Sequence, residues 1–367
     1  MHTSTLRQVT VREGPFASVY FDNSHNTEDA AAQLDLRWRS IRERLADEGA
    51  EEPTLTALDA AVATTPPPEG RAGRALVAEG GEVVLDEELA EPPLREVVRV
   101  APQPYLLPLL RLAPAVVPHV VVVVDKTGAD LFAVGEDGAE ERTVEGEDHP
   151  VHKVRGGGSA YWNIQHRVEA VAERNAAEVA REAVKLADAV GAEVLVLAGE
   201  VQARALVRDE LPPRGAEKVV ELEEGGRADG SAPEALEAEV KRVLAEHAER
   251  RRQDVIDRFR AEQGRDGGLA VDGLARTTAA LRSAAVETLL IDDESLADRL
   301  VWVAGDPTQV ATTKEELELS GTGAESLTQC RADEALPAAV LAEGADLVPV
   351  SGEGLADGVG AVLRFAI

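Results

Sequence analysis

The chain has 367 residues, room for two or three domains of ordinary size, and its 38 lysines and arginines against 68 aspartates and glutamates leave a formal net charge of −30. Hydrophobic residues make up 44%, which excludes wholesale disorder, while aromatics make up only 3%, so the cores must be built from Ala, Val and Leu. The single cysteine, Cys330, excludes a disulfide framework or a cysteine zinc site, and a surface this acidic excludes broad, non-specific binding to phosphate backbones.

Residues 16–21 (FASVYF) join aromatic and β-branched side chains in a short run that predicts a strand. After Asp22-Asn23-Ser24, the spacing of Leu34, Trp38, Ile41 and Leu45 predicts a helix with Arg37, Arg39, Arg42 and Glu43 facing out. A second helix at 55–62 leads to a proline-rich turn at 64–70. Strands are expected at 75–78, 82–85 and 96–100. Prolines punctuate 102–118 and mark a boundary near residue 113. The longest apolar stretch, 112–124, is interrupted by Pro114, Pro118 and His119 and is too short to span a bilayer. Met1-His2-Thr3-Ser4 lacks the pattern of a secretory signal, so the expected location is cytoplasmic, with no membrane partner.

The valine run 120–124 fits a strand buried on both faces, Asp125-Lys126-Thr127-Gly128 a hairpin turn, and 129–134 its partner strand. The acidic stretches 136–147 and 221–224 read as solvated loops. A long helix follows, with Val168, Val171, Ala172, Val179, Ala183, Leu186 and Val190 on one face and Gly191 at its end. Strand 193–197, helix 202–209 and strand 218–222 come next. Ser231-Ala232-Pro233-Glu234 has the form of a capping box, opening a helix through Leu236, Val240, Val243 and Leu244 into Val255, Ile256 and Phe259. The last segment alternates helix 274–281, strands 287–291 and 300–303, helix 334–342, and strands 347–350 and 360–365. The expectation is an α/β chain in three domains, 1–113, 114–245 and 246–367.

The segment from Lys153 to Arg167 is the most informative. It holds Lys153, Arg155, Arg167 and His166, with His152 immediately before it, and no acidic residue. Gly156, Gly157 and Gly158 let the backbone approach a partner closely, and the N-terminus of the following helix favours a phosphate. Tyr161 and Trp162 can stack on bases. A plainer reading stays open, in which this is a loop whose Trp162 packs into its own domain. The Gly-Lys-Ser/Thr ending of a Walker loop is missing. A second basic cluster, Arg250-Arg251-Arg252 with Arg258 and Arg260, is interleaved with Asp254 and Asp257 and reads as an ion-paired helix face. The seven histidines show no ligand spacing, and Cys330 sits in an acidic-to-polar stretch read as a loop. No metal or other cofactor is expected.

In this order, the second and third segments resemble the middle and C-terminal domains of archaeal and eukaryotic class-1 release factors and their relative Pelota. Val120–Asp125 with Lys126-Thr127-Gly128-Ala129 is similar to a strand ending in Asp-x-x-Gly-Ala. Arg155-Gly156-Gly157-Gly158-Ser159-Ala160 is similar to Arg-Gly-Gly-Gln-Ser-Ala, and Leu197-Ala198-Gly199 to a later Leu-Ala-Gly. In the third segment, Ala285-Val286-Glu287-Thr288-Leu289-Leu290-Ile291 and Gly360-Ala361-Val362-Leu363-Arg364-Phe365 resemble two strands of a ribosomal-protein-like α/β/α, kink-turn-binding fold. The resemblance runs from about residue 115 onward and leaves a divergent α/β N-terminal domain.

The family's catalytic glutamine is Gly158 here, which has no side-chain amide. The first segment also lacks Asn-Ile-Lys-Ser and Tyr-x-Cys-x-x-x-Phe, the elements that read stop codons. The chain is in these respects similar to bacterial members of the superfamily, among them Balon-type ribosome hibernation factors. That resemblance implies an A-site ribosome-binding factor of hibernation or stress that reads no stop codon. Lys153, Arg155 and Arg167 would contact phosphate, Gly156, Gly157, Gly158 and Ser159 would allow close approach, and Tyr161, Trp162 and His166 would meet RNA. The implied partners are rRNA and ribosomal proteins, with tRNA and a translational GTPase as further ones. The alternative is a peptidyl-tRNA hydrolase of ribosome quality control, with Gln165 or His166 positioning water.

Overall fold

A short helix α1 (Thr3–Thr10) leads into strand β1 (Phe16–Asp22), whose residues alternate between two cores. Ala17, Val19 and Phe21 pack with Trp38, Ile41 and Leu45 of α2 (Ala30–Asp47) and with Leu55 and Leu58 of α3 (Glu52–Thr64). Phe16 and Tyr20 face the opposite way, into a cluster that also holds Leu6, Val9 and residues of the C-terminal third. Burial on both faces explains why FASVYF carries no charge. Strands β2 (Gly73–Glu79), β3 (Glu82–Leu89) and β4 (Val97–Ala101) complete an antiparallel sheet in the order β3-β2-β1-β4. Helix α4 (Leu107–Leu112) lies within the stretch expected to be broken by prolines. Pro108 falls in its first turn, where a missing N–H removes no helical hydrogen bond.

The computed structural model describes residues 3–27, 29–65, 68, 70–112, 117–135, 138–145, 159–223, 233–296, 299–319 and 327–367, with the backbone alone at 3–5, 112, 159–170, 233 and 293. By contact the chain forms two units, one joining residues 3–115 to 252–367 and the other comprising 116–251.

The second unit is built on β5 (His119–Val124), flanked by the antiparallel β6 (Gly128–Gly135) and the parallel β8 (Val194–Gly199). Its sheet closes with β7 (Gly138–Glu145) at one edge and β9 (Val219–Glu221) at the other. Val120, Val122 and Val124 face α5 (Ser159–Val190) and α6 (Val201–Glu210), which a four-residue turn, α7 (Pro213–Ala216), follows. Val121 and Val123 face Val240 and Val243 of α8 (Pro233–Gln263). The valine run is thus a central strand covered on both sides, as expected. β7 corrects the reading of residues 136–147 as loop. It is an edge strand with mostly exposed side chains, so Glu140, Glu141 and Glu145 stay in water while its backbone pairs with β6. Ser231, proposed to cap α8, lies outside the described residues.

The C-terminal third follows as β10 (Ala270–Asp272), α9 (Leu274–Arg282), β11 (Val286–Ile291), α10 (Asp293–Leu296), β12 (Leu300–Val303), β13 (Val310–Ala311), α11 (Lys314–Leu319) and β14 (Thr328–Arg331). It ends with α12 (Ala332–Glu343), β15 (Asp346–Pro349) and β16 (Val359–Leu363). Two sheets result, in the orders β10-β16-β11-β15 and β13-β12-β14. Ile256 and Phe259 of α8 pack on the first, against Leu290, Val350 and Val362. Cys330, expected in a loop, is instead a buried residue of β14 paired with Val301. Ten consecutive residues of α12, from Ala332 to Leu341, are buried. A helix covered on all sides needs neighbours on all sides. α1 and α4 supply them from the first third, and α9, β12, β14 and β15 from the last.

Candidate nucleic-acid interface

Lys153, Arg155, Gly156, Gly157 and Gly158 lie outside the described residues. Ser159, Tyr161, Trp162, His166 and Arg167 belong to the first turns of α5, where the backbone alone is described. What the structure defines is the scaffold that carries them.

Two adjacent strand ends form one edge of that scaffold. The carboxylate of Asp125 accepts hydrogen bonds from the Thr127 amide at 2.7 Å, the Thr127 hydroxyl at 2.7 Å and the Gly128 amide at 3.0 Å. An acidic side chain that binds its own turn in this way fixes the hairpin between β5 and β6. Lys126 reaches across to Glu200, Nζ to Oε1 2.6 Å, and the Glu200 amide donates to the Val124 carbonyl at 2.9 Å. Gly199 stands where the two strands meet, at φ +107°. A Cβ there would lie 2.0 Å from the carbonyl oxygen of Val124. The Asp-x-x-Gly-Ala and Leu-Ala-Gly elements are therefore two halves of one junction, and each has a steric or hydrogen-bonding reason.

α5 is anchored at the opposite end of the sheet, where a Cβ on Gly135 would come within 2.9 Å of the Val190 side chain. Its 32 residues make about 48 Å of helix. The strands beneath it, six to eight residues long, span only about 20–27 Å. The N-terminal turns of α5 consequently reach beyond the sheet on the side of the Asp125 turn. Val171, Ala176, Val179, Ala180, Ala183 and Leu186 form the buried face that holds the helix down. The first turn of α5 holds no acidic residue, which leaves its positive dipole end uncancelled by its own side chains.

The second basic cluster is engaged elsewhere. Arg251 donates to Glu193 at 2.6 Å, beside His247, whose Nε2 lies 2.9 Å from the same carboxylate. Arg258 holds both oxygens of Glu287, and Arg260 pairs with Glu353. These are ion pairs that tie α8 to its neighbours, as its alternating charges predict. Among the described residues, no group of three or more His, Cys, Asp or Glu side chains is placed to hold a metal, and no helix is long and apolar enough to cross a membrane.

Sequence reasoning missed a buried polar cluster that joins the first and last thirds of the chain. Arg99 of β4 donates to Asp333 at 3.2 Å and Glu334 at 3.0 Å, while Arg331 holds both oxygens of Asp333 at 3.0 Å. The Cys330 thiol donates to Glu334 at 3.3 Å. Burial raises the Glu334 carboxyl above the ordinary range against the pull of Arg99, and burial beside Glu334 raises the Cys330 thiol well above its own. No local pattern signals this cluster, because Arg99 is separated from its partners by more than two hundred residues.

The unit that carries this acid-free helix end after a glycine-rich sequence matches a family of the archaeo-eukaryotic release-factor class. The profile of bacterial archaeo-eukaryotic release factor family 2 matches residues 118–265. An uncharacterized protein of Mycobacterium tuberculosis is 37% identical over 372 residues, covering 100% of this chain and 97% of its own. Through residues 118–265 the chain belongs to this bacterial archaeo-eukaryotic release factor family, and over its whole length it is related to that mycobacterial protein. Among solved structures, an archaeal translation termination factor is 16% identical, covering 99% of this chain and 96% of its own, with a TM-score of 0.27. Archaeoglobus fulgidus Pelota is 16% identical over 100% of this chain and 92% of its own, with a TM-score of 0.36.

Proposed function

We propose that the chain is a ribosome-binding factor that occupies the A site in hibernation or stress, with the segment from Lys153 to Arg167 directed at the peptidyl-transferase centre. One observation carries the reading. The family match at 118–265 includes Arg155-Gly156-Gly157-Gly158-Ser159-Ala160, in which glycine stands where the release-factor motif has its glutamine. Without that amide a release factor's approach to the ribosome is kept and its water-positioning group is lost. The reach of α5 beyond the sheet and its acid-free first turn support the same reading, because rRNA phosphates favour a positive tip on a body of net charge −30. The acidic remainder would face basic ribosomal proteins, or a GTPase that delivers the factor.

The test is co-sedimentation of the purified chain with vacant ribosomes, followed by a peptidyl-tRNA release assay on the same complexes. Binding without release is expected. Binding with release would replace this reading by a peptidyl-tRNA hydrolase of quality control, and absence of binding would remove the ribosome from the proposal.

A further inference from the structure

We infer that the first and last thirds of the chain form one cooperative body, locked by the ionic ring of Arg99, Asp333, Glu334 and Arg331, so that the N-terminal sheet does not detach from the C-terminal third while either stays folded. The inference is independent of any ribosome binding.

Three features carry it. The first is the burial of α12. Leu6 and Val9 of α1, Leu107 of α4 and Leu106 just before it share a single apolar cluster with Leu336 and Val340 of α12. Lifting the N-terminal sheet away would expose that apolar face of a helix whose residues from Ala332 to Leu341 are all buried. The second is the ring itself. The side chains of Asp333 and Glu334 are 2% and 3% exposed, and Arg99, the one ring cation from the first third, touches both. Removing Arg99 strips buried Glu334 of the guanidinium that hydrogen-bonds it, a change far costlier than losing a surface pair. The third is the support behind Arg99. Its guanidinium lies 3.6 Å from the centroid of the Tyr105 ring. The Tyr105 amide donates to Ser18 at 3.1 Å, and its carbonyl accepts from the Tyr20 hydroxyl at 2.5 Å. The contacts therefore run without a break from the middle of β1 to the first turn of α12.

Cys330, the sole thiol, sits beside Glu334 in this junction, and Trp38 and Trp302 lie in the first and last thirds respectively. Each part thus carries its own reporter. The experiment is urea unfolding of the full chain, followed by fluorescence in W162F/W302F (Trp38 alone) and W38F/W162F (Trp302 alone), with Cys330 labelling by a thiol reagent in the wild type. The expected result is one shared midpoint for both fluorescence transitions, and labelling whose urea dependence equals that of global unfolding. Separate midpoints, or labelling through an opening with little urea dependence, would overturn the inference. In R99A, Cys330 labelling should accelerate about a hundredfold or more. Equal labelling rates in R99A and wild type would remove the ring as the lock.

Discussion

The α-carbon of Gly199 lies so close to Val124 that a methyl group on it would fall 2.0 Å from the Val124 carbonyl oxygen. β5 and β8 are adjacent parallel strands in register from His119↔Val194 to Val124↔Gly199, and the chain leaves β8 for α6 at that last pair. The same carbonyl accepts the Glu200 amide. G199A must therefore either break this junction or displace β5, and φ +107° adds backbone strain. The expected loss is at least about 2 kcal/mol of unfolding free energy. A urea midpoint within error of wild type would show that the junction can yield.

Glu334 gives a pH dependence of defined sign. Its carboxyl is raised in the folded protein, chiefly by burial, so the folded state holds the proton more tightly than the unfolded chain does. Its contribution to stability is then fullest below the unfolded value near 4.5 and declines as pH rises through the folded value. Gln at this position keeps an oxygen for Arg99 and carries no charge to bury. E334Q should gain on wild type in melting temperature as pH rises from 4 toward neutrality. A difference that shrinks over that range would contradict the burial argument.

Much of this fold was legible because its strongest signals are periodic. The valine run of β5, the Leu34–Leu45 stripe of α2 and the Val171–Leu186 face of α5 each state their burial in local sequence. The elements that escaped are those whose burial is decided elsewhere. β7 has almost no apolar alternation because water covers it, and β13 has two residues. Thr328-Gln329-Cys330-Arg331 gives no strand signal, and becomes β14 only because Val301 lies opposite. α12 was legible as a helix, but its burial on every side depends on α1, more than three hundred residues earlier. At the candidate interface, the scaffold elements around Asp125 and Gly199 were legible as a resemblance, and the structure supplies the contacts that explain them. Lys153 to Gly158 remain a reading of sequence.

Arg258 grips both carboxylate oxygens of Glu287, at 2.5 and 2.8 Å, and joins α8 to β11. The hydrogen bonds from Arg258 hold the Glu287 carboxyl below its ordinary range. That stabilisation is present above the unfolded value and is lost as pH falls through the folded one. Both side chains are more than one-third exposed, so solvent screening limits the pair to about 1 kcal/mol or less. R258A should therefore lower stability modestly at neutral pH and hardly at all near pH 3. A larger loss in acid than at neutrality would assign Arg258 a packing role instead.

Lys153 and Arg155 test the proposed interface directly, because each phosphate contact leaves its mark on salt dependence. A cation that neutralises a phosphate releases a condensed counterion, and the logarithm of affinity falls with the logarithm of salt by about 0.7–0.9 per contact. K153A/R155A should therefore bind vacant ribosomes more weakly at low salt, with a slope flatter by about 1.4–1.8 than that of wild type. The two curves should converge as salt rises, since screening removes from wild type what the substitutions remove outright. Arg251 serves as the comparison, because its guanidinium is committed to Glu193. R251A should leave the salt slope unchanged even where it lowers stability. If K153A/R155A kept both affinity and slope while R251A flattened the curve, the RNA contact would belong to α8 and not to the segment ahead of α5.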